Sequence, residues 1–268
     1  MQPRPRVLIT NDDGVNSPGL LAAAQSIEPI ADVCIMAPQR QQTAMGRAQS
    51  GHPETTFATQ NFTIGGRSIN AYSCDASPAT VVGHGLNVFS DYIPQLVVSG
   101  INYGENLGSC ITSSGTVGAA FEAATRGIPA IAMSLETPLG QHYDYTEQNW
   151  ETAKHFLQYF AQIVLEKGMP EDVHVLKVDV PRCATPETPW KLTRLSTCSY
   201  YESTIHSPTV SSRLCDTVYS KEHAQEGNKE TDVYAMCIDK IVAVTPLTLD
   251  FTSRGKFSAM EAWLTHPK

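Results

Sequence analysis

The chain has 268 residues, of which 41% are hydrophobic and 17% charged, and its net charge at pH 7 is −8. This composition is typical of a globular protein with a substantial buried core, and no apolar run approaches the roughly 20 residues of a membrane-spanning helix. The acidic balance argues against a protein that holds nucleic-acid polymers through its overall field, whereas a small anionic substrate is compatible with it if a cation or backbone N–H groups supply local positive potential.

The cysteines and the N-terminal stretch indicate the cellular compartment. Seven cysteines are scattered along the chain, and no two form a C-x-x-C pair. That pattern is typical of reduced thiols. It is not typical of a disulfide framework or of a zinc site. The first apolar stretch is interrupted at Asn11 and Asp12, so it is too short for the core of a secretory signal. We therefore expect a cytoplasmic protein that does not associate with a membrane.

The chain begins with a predicted strand, helix and strand, followed by a hairpin. Residues 7–10 and 33–37 are short apolar runs, which predict strands. Between them the stretch SPGLLAAAQSI predicts a helix with Ser17 as its N-cap. Two alternating segments flank the glycine pair at 65–66, and this pattern predicts a β-hairpin.

The middle of the chain repeats the alternation of helix and strand. SPATVVGHGLNVF from Ser77 predicts a helix, and QLVVSG predicts a buried strand that ends at Gly100. GTVGAAFEAATRG predicts a helix closed by Gly127, and IPAIAMSL predicts the next strand. Residues 146–167 carry apolar side chains at steps of three and four, which predicts a helix with one apolar face, and VHVLKVDV predicts a strand after it.

The repeated alternation predicts an α/β fold with a mostly parallel sheet and helices on both faces. In such a fold, ligands bind beyond the carboxyl ends of the strands. We expect residues 1–180 to form the core. Residues 181–268 should add an extended arm or hairpin and a closing β-like run, CIDKIVAVTPL, to the same domain, although the Thr-, Ser- and Pro-rich part at 181–230 carries no motif.

Paired carboxylates follow the first predicted strand. Asp12 and Asp13 stand between Asn11 and Gly14. A turn or helix-capping cluster is one interpretation, because Asn, Asp and Gly are turn residues. The other is a site for a hard cation, which would remove the repulsion between two partly dehydrated carboxylates.

Three further stretches carry polar groups to predicted strand ends or helix starts. VVSGINYGENLG combines glycines with Asn102, the better metal ligand by position, and Asn106, the better phosphate contact. SSGTVGAAFEAA places residues 113–116 at a helix start, where free N–H groups can bind an anion or where serine simply caps the helix. In APQRQQTAMG, Thr43 offers a hydroxyl ligand, and Arg40 or Arg47 offers a charge for a substrate, although a plain solvated loop explains that stretch equally well.

Other catalytic arrangements lack their motifs. The sequence has neither G-x-G-x-x-G nor a G-K-[ST] phosphate loop, and it has no G-x-S-x-G nucleophile turn. The eight histidines show no H-E-x-x-H or other metal-binding spacing. His52 and His84 are therefore interpreted as surface or structural residues.

The sequence resembles the SurE family of metal-dependent 5′/3′-nucleotidases in four motifs that occur in order. They are N-D-D-G-V, A-P with a hydroxyl five residues later, V-S-G-I-N-x-G-x-N-x-G and S-G-T-V. They lie within residues 7–134, and VTPLTLDFT from Val244 is similar to the family's closing strand and linker. The resemblance implies a Rossmann-like three-layer core. It also implies a homodimer or homotetramer that forms through an extended C-terminal hairpin.

The same resemblance implies one divalent cation, Mg²⁺ or Mn²⁺, per subunit. Its ligands would be Asp12, Asp13, Thr43 and Asn102, with Thr43 standing where serine is usual in the family. The residue before S-G-T-V is commonly Tyr or His in the family and is Ser113 here. The predicted phosphate-binding residues are Asn106, Ser114, Gly115 and Thr116.

The predicted reaction is hydrolysis of a nucleoside 5′-monophosphate to nucleoside and phosphate, with 3′-monophosphates left open. A metal-activated water attacks phosphorus, and Asp12 or Asp13 accepts its proton. A covalent aspartyl-phosphate is the competing mechanism, but its D-x-D spacing is missing. The alternatives are a broader phosphatase or short-chain exopolyphosphatase, or a nucleotide-binding module without turnover. Base contacts are expected from residues 200–212 or from the loop near Gly46.

Overall fold

The computed structural model describes residues 3–141, 145–221 and 227–265. Its strands are β1 (Arg6–Thr10), β2 (Asp32–Pro38), β3 (Ala58–Ile64), β4 (Arg67–Cys74), β5 (Leu96–Tyr103), β6 (Ala130–Leu135), β7 (Val175–Val180), β8 (Trp190–Leu192), β9 (Tyr201–Ile205), β10 (Thr217–Lys221) and β11 (Val242–Leu247). Its helices are α1 (Pro18–Ile27), α2 (Pro78–Val88), α3 (Gly115–Ala124), α4 (Glu151–Lys167), α5 (Asp232–Tyr234) and α6 (Phe257–Thr265), with short 3₁₀ or π turns at Gly108–Thr112, Leu139–Gln141, Leu214–Asp216 and Ala235–Asp239.

A nine-stranded sheet forms the centre of the fold, in the order β3-β4-β2-β1-β5-β6-β7-β11-β8. The pairings from β4 through β2, β1, β5 and β6 to β7 are all parallel. β3 and β4 form the predicted antiparallel hairpin at one edge, and β11 runs antiparallel to β7. The expected mostly parallel, Rossmann-like α/β fold is confirmed.

Alternating side chains of β1 divide the core into two layers. Val7 and Ile9 are fully buried on the face that α1 and α4 cover. Leu8 is fully buried on the opposite face, against α2 and α3. Because β1 is central and apolar on both faces, its polar continuation at Asn11 emerges at the carboxyl edge of the sheet, between the two helical layers.

One helix start lies where the sequence predicts it, and another lies later in the chain. Ser17 occupies the N-cap position of α1, but its hydroxyl is buried and makes no cap hydrogen bond. Pro18 at the first helical position removes one of the N–H groups that need a partner. α4 begins at Glu151 and not at residue 146, and the irregular stretch before it contacts β5, since the hydroxyl of Tyr103 donates to the carbonyl of Thr146 at 3.1 Å.

The closing β-like run is shorter than predicted. The strand begins at Val242, and the residues just before it form α5 and the following π turn. Thr231 caps α5 by accepting from the N–H of Tyr234, and Lys240 ends the turn in the left-handed conformation at φ 54°. The N–H of Ile241 donates to the carbonyl of Ala235 at 3.0 Å, and this hydrogen bond closes the turn just before the strand.

The last third of the chain joins the core and also extends from it. β9 and β10 pair as a separate antiparallel hairpin, the expected peripheral element. A small cluster that includes Leu107, Tyr200 and Met236 connects this region to the loop after β5. By contrast, α6 has no buried residue. No helix within the three described ranges is long and apolar enough to cross a membrane.

We predict that Gly19→Ala destabilises the protein. Alanine in a helix is usually favourable, but a Cβ at Gly19 would lie 2.1 Å from the carbonyl oxygen of Ile101 on β5. The overpacking should lower the free energy of unfolding by about 1–3 kcal/mol in urea denaturation. The control is Gly140→Ala, since nothing lies within 4 Å of a Cβ there. Equal stabilities of the two variants would show that α1 can move away from β5.

Candidate active site

A cavity of about 360 Å³ lies at the carboxyl ends of β1 and β5. A larger one, about 740 Å³, lies away from these strand ends among side chains such as Phe121, Leu192 and Phe251. We assign the site to the smaller cavity, because only there do the polar residues of the strand ends converge. Its lining residues include Asp12, Thr43, Asn102, Tyr103, Glu105, Asn106, Cys110, Ser113, Ser114, Leu139, Tyr201 and Tyr219.

The turn after β1 is fixed by its own side chain. The Asn11 amide donates to the carbonyl of Gly14 at 3.1 Å and accepts from the N–H of Gly14 at 3.2 Å. Gly14 has a φ of 105°, and a Cβ there would lie 3.1 Å from the backbone of Arg40. The turn therefore requires glycine and holds the two aspartates in one orientation.

Asp12 is bound by the start of α3. The hydroxyl of Thr116 donates to Asp12 Oδ1 at 2.5 Å, and the N–H groups of Gly115 and Thr116 also stabilise the carboxylate. A Cβ on Gly115 would lie 2.7 Å from Asp12 Oδ2, so this close approach requires glycine. Burial raises the pKa of Asp12 in spite of these hydrogen bonds.

Asp13 is buried beside Asp12 and has fewer donors. Its carboxylate accepts from the N–H of Tyr103 at 3.2 Å and from the Gln41 amide at 3.3 Å. Burial, followed by the negative charge of Asp12, raises the pKa of Asp13 well above its usual value. The free energy of the ionised pair is therefore high unless a positive charge is nearby.

The residues present fit a hard divalent cation. Within the described ranges, none of the ion pairs includes Asp12 or Asp13. No group of three or more His, Cys, Asp or Glu side chains in those ranges could hold a metal ion, so the available donors are two carboxylates with neutral oxygens. Such oxygen donors suit Mg²⁺ or Mn²⁺ and not a soft metal.

Two neutral oxygen donors share the cavity with Asp12. The amide nitrogen of Asn102 donates to the carbonyl of Gly104 at 2.7 Å, which leaves Oδ1 as its free donor atom toward a cation. Thr43 lies on the loop after β2. The N–H of Gln42 anchors that loop by donating to the carbonyl of Asp12 at 2.7 Å. The structure thus brings Asp12, Thr43 and Asn102 to one cavity.

Of the predicted phosphate-binding residues, Asn106 and Ser114 line the cavity, whereas Gly115 and Thr116 contact Asp12 beside it. The side-chain amide of Asn106 donates to Ser134 Oγ at 2.9 Å. Ser114 caps α3 by accepting from the N–H of Val117 at 3.1 Å. The N–H groups of Gly115 and Thr116 are directed to Asp12. Any phosphate at this helix start would therefore share its donors with that carboxylate.

The two arginines considered for substrate charge form ion pairs. Arg40 binds the carboxylate of Asp75 through two nitrogens at 2.9 and 3.1 Å. Arg47 Nε lies 3.0 Å from Glu122 Oε2, and Glu122 is largely buried. Both guanidinium groups therefore hold loops in place, and neither lines the cavity among the described residues.

Sequence reasoning missed the buried Glu105 and its partners. Glu105 Oε1 accepts from the Tyr200 hydroxyl at 2.7 Å and lies 2.5 Å from Lys221 Nζ. A carboxylate between glycine and asparagine gives no local signal of burial. Tyr201, which borders the cavity, does fall in the stretch expected to contact a base, and Tyr219 on β10 does not.

Comparisons with known proteins match this chain over most of its length. The family described as Survival protein SurE matches residues 7–202. A curated 5′-nucleotidase SurE of Thermococcus kodakarensis is 38% identical over 94% of this chain and 95% of its own, and one of Methanosarcina barkeri is 36% identical over 97% and 98%. The crystal structure of a SurE protein from Aquifex aeolicus superposes with a TM-score of 0.74 at 28% identity, covering 98% of this chain and 100% of that one.

We predict that Asp13→Asn stabilises the protein in chelator-treated solution at pH 8. Because folding raises the pKa of Asp13, the carboxyl lowers stability as pH rises above its ordinary value of 3.8 and through the raised one. The gain in Tm should be about 2–4 °C at pH 8 and should be smaller at pH 5, because that pH is nearer the ordinary pKa of the carboxyl and the raised pKa then costs less stability.

The matched control is Asp91→Asn, because Asp91 is exposed. Its Tm should not diverge from wild type between pH 5 and pH 8. Adding Mn²⁺ should then raise the Tm of wild type more than that of Asp13→Asn. A gain from Asp13→Asn that is the same at both pH values would contradict the assignment of the repulsion to this carboxyl.

Proposed function

Because the chain belongs to the SurE family, we propose that it is a 5′-nucleotidase that hydrolyses nucleoside monophosphates to nucleoside and phosphate. The observation that carries the proposal is the convergence of Asp12, Thr43, Asn102 and Asn106 on one cavity at the carboxyl ends of the strands. Oxygen ligands and amide donors in one place suit a phosphoryl group with an accompanying cation.

The lining of the cavity suits both the phosphate and the base of a nucleotide. It combines polar side chains such as Asn102 and Asn106 with the aromatic side chains of Tyr103, Tyr201 and Tyr219. Aromatic faces bind nucleobases by stacking with little dependence on sequence. This supports a nucleoside monophosphate over an inorganic phosphate chain, which has no ring to stack on them.

We further propose that one Mg²⁺ or Mn²⁺ per subunit is held by Asp12, Asp13, Thr43 and Asn102. When bound, such a cation supplies Lewis acidity that polarises a phosphoryl oxygen and lowers the pKa of a water molecule. The burial of Asp12 and Asp13 supports this proposal, because burial raises the pKa of both carboxyls and a bound cation would favour their ionised forms.

The side chains have distinct roles in the proposed reaction. The amide of Asn106 and the start of α3 at Ser114 bind phosphoryl oxygens, and these donors gain strength as negative charge develops there. The carboxylate of Asp12 accepts the proton of the attacking water. Asp12 is favoured over Asp13 for this role, because Asp12 lines the cavity and Asp13 is directed to Gln41 and the backbone of β5.

We also propose a cytoplasmic, self-associating protein. All seven cysteines are free, and Cys183, Cys198 and Cys215 are exposed, which suits a reducing compartment. The exposed helix α6 carries Phe257, Met260, Trp263 and Leu264 at 46–71% exposure, an apolar surface that a second copy of the chain can cover.

The function is tested by measuring phosphate release from 5′- and 3′-nucleoside monophosphates. Chelator-stripped wild type should release none, and added Mg²⁺ or Mn²⁺ should restore turnover. Asp12→Asn should lower kcat by at least about 100-fold, because it removes the proton acceptor and one anionic ligand. The panel should include p-nitrophenyl phosphate and short polyphosphate.

The exposed Asp91→Asn is again the matched control and should retain wild-type kcat. Turnover of polyphosphate or p-nitrophenyl phosphate in preference to every nucleotide would replace the nucleotidase assignment with a broader phosphatase. Nucleotide binding without phosphate release under any metal would indicate a binding module.

Thr43 permits a direct test of the metal proposal. Thr43→Ser retains the hydroxyl and should keep the Kd for Mn²⁺ within about twofold of wild type, whereas the isosteric Thr43→Val should raise it about tenfold. The measurement is the free Mn²⁺ signal in electron paramagnetic resonance titrations. Equal Mn²⁺ affinities in Thr43→Val and wild type would remove Thr43 from the ligand set.

A further inference from the structure

Three charged side chains outside the cavity form a fully buried cluster. Lys177 and Asp179 lie on β7, and Asp232 begins α5; all three side chains have 0% exposure. Lys177 Nζ contacts Asp179 Oδ2 and lies 3.1 Å from Asp232 Oδ2. One lysine thus links a central strand to the C-terminal part of the chain.

The two carboxylates of the cluster also bind the loop after β5. Asp179 Oδ1 accepts from the N–H of Asn106 at 2.7 Å, and Asp232 Oδ2 accepts from the N–H of Gly108 at 2.9 Å. Leu107 between them is fully buried against the C-terminal cluster. Each of these three consecutive residues is therefore anchored from outside the loop.

The side chain of Asn106 is oriented by β6, the strand that pairs with β7. Its amide donates to Ser134 Oγ on β6, and Ser134 pairs directly with Asp179 on β7. Backbone and side chain of Asn106 are thus both fixed, one by Asp179 and the other by its neighbour in the sheet. The second N–H of the amide remains for a ligand in the cavity.

A buried cluster of this kind is costly as a purely structural connection. Apolar side chains of similar volume usually stabilise a fold as well as a buried ion triad does. Hydrogen bonds that two nearby N–H groups donate to carboxylates, however, are strong and directional, so they fix the position of a backbone in a way that apolar packing does not. Asp179 binds the backbone of Asn106, and Asn106 lines the cavity, so the cluster fixes a residue of the cavity wall.

We propose that Lys177, Asp179 and Asp232 are positioning residues that set the Asn106 amide against the phosphoryl group of the substrate. The proposal rests on the proposed function. The lysine holds both carboxylates in place, Asp179 holds the N–H of Asn106, and Asp232 holds the N–H of Gly108. The cluster acts on phosphate binding and leaves the cation ligands unaffected.

The test compares Asp179→Asn with Glu230→Gln. Asp179→Asn leaves the pair of Lys177 and Asp232 intact, but its single amide oxygen cannot replace both interactions of the carboxylate. Glu230→Gln makes the same chemical change in an exposed ion pair with Arg194. For each variant we would measure kcat and KM for the preferred nucleotide, the Kd of inorganic phosphate by calorimetry at saturating Mn²⁺, the Kd of Mn²⁺, and Tm.

Asp179→Asn should raise KM and the phosphate Kd about tenfold, with the Mn²⁺ Kd changed less than twofold and Tm not lowered. Asp232→Asn should shift the phosphate Kd in the same direction, and Glu230→Gln should match wild type. In an Asn106→Ala background, Asp179→Asn should add nothing, because the effect passes through Asn106.

Three results would overturn the proposal: an unchanged phosphate Kd, additive effects of Asp179→Asn and Asn106→Ala, or a joint loss of phosphate affinity, Mn²⁺ affinity and Tm, which is the mark of a structural role. If Asp179→Asn does not fold, Asp232→Asn carries the same comparison. A wild type that binds phosphate but hydrolyses no nucleotide would refute the proposed function, and the phosphate titrations would still decide the positioning role.

Discussion

Two carboxylates, those of Asp12 and Asp13, lie buried side by side at the end of the central strand β1, and neither is paired with a basic side chain among the described residues. Placing two like charges in a region of low dielectric constant raises the free energy of the folded state. The surrounding structure reduces this cost only in part, through donors from α3 and from the backbone of β5. A positive charge beside the two carboxylates would lower this free energy further. The neutral oxygen atoms of Thr43 and Asn102 lie at the same strand ends.

Close backbone approaches bring these donors within reach. Gly14 lets the turn after β1 pack on the loop of Thr43, and Gly115 lets α3 reach the carboxylate of Asp12. In β5 the register against β6 shifts between Ser99 and Asn102, so that Asn102 lies opposite Ser134. Each glycine is a position where a side chain would separate two elements of the site, and together they make the site dense in backbone N–H groups.

The sequence was sufficient for the features that depend on local patterns. Apolar runs and helix starts predicted the alternation of strands and helices, and the strand-end motifs predicted Asp12, Thr43, Asn102 and Asn106, which the structure brings to one cavity. Features set by distant contacts escaped prediction. The residues just before β11 were assigned to a strand, although they form a π turn that includes Met236 and ends at Asp239. Glu105 gave no sign of its tyrosine and lysine partners more than 90 residues away.

The bond between Gly108 and Asp232 spans 124 residues of sequence. The parallel strands from β1 to β7 all lie within residues 6–180, so they leave the ribosomal tunnel before α5 does. The loop of Asn106 gains the carboxylate of Asp232 only when α5 has been synthesised. A chain that ends before α5 therefore has all the strands from β1 to β7 but lacks one of the two carboxylates that anchor this loop.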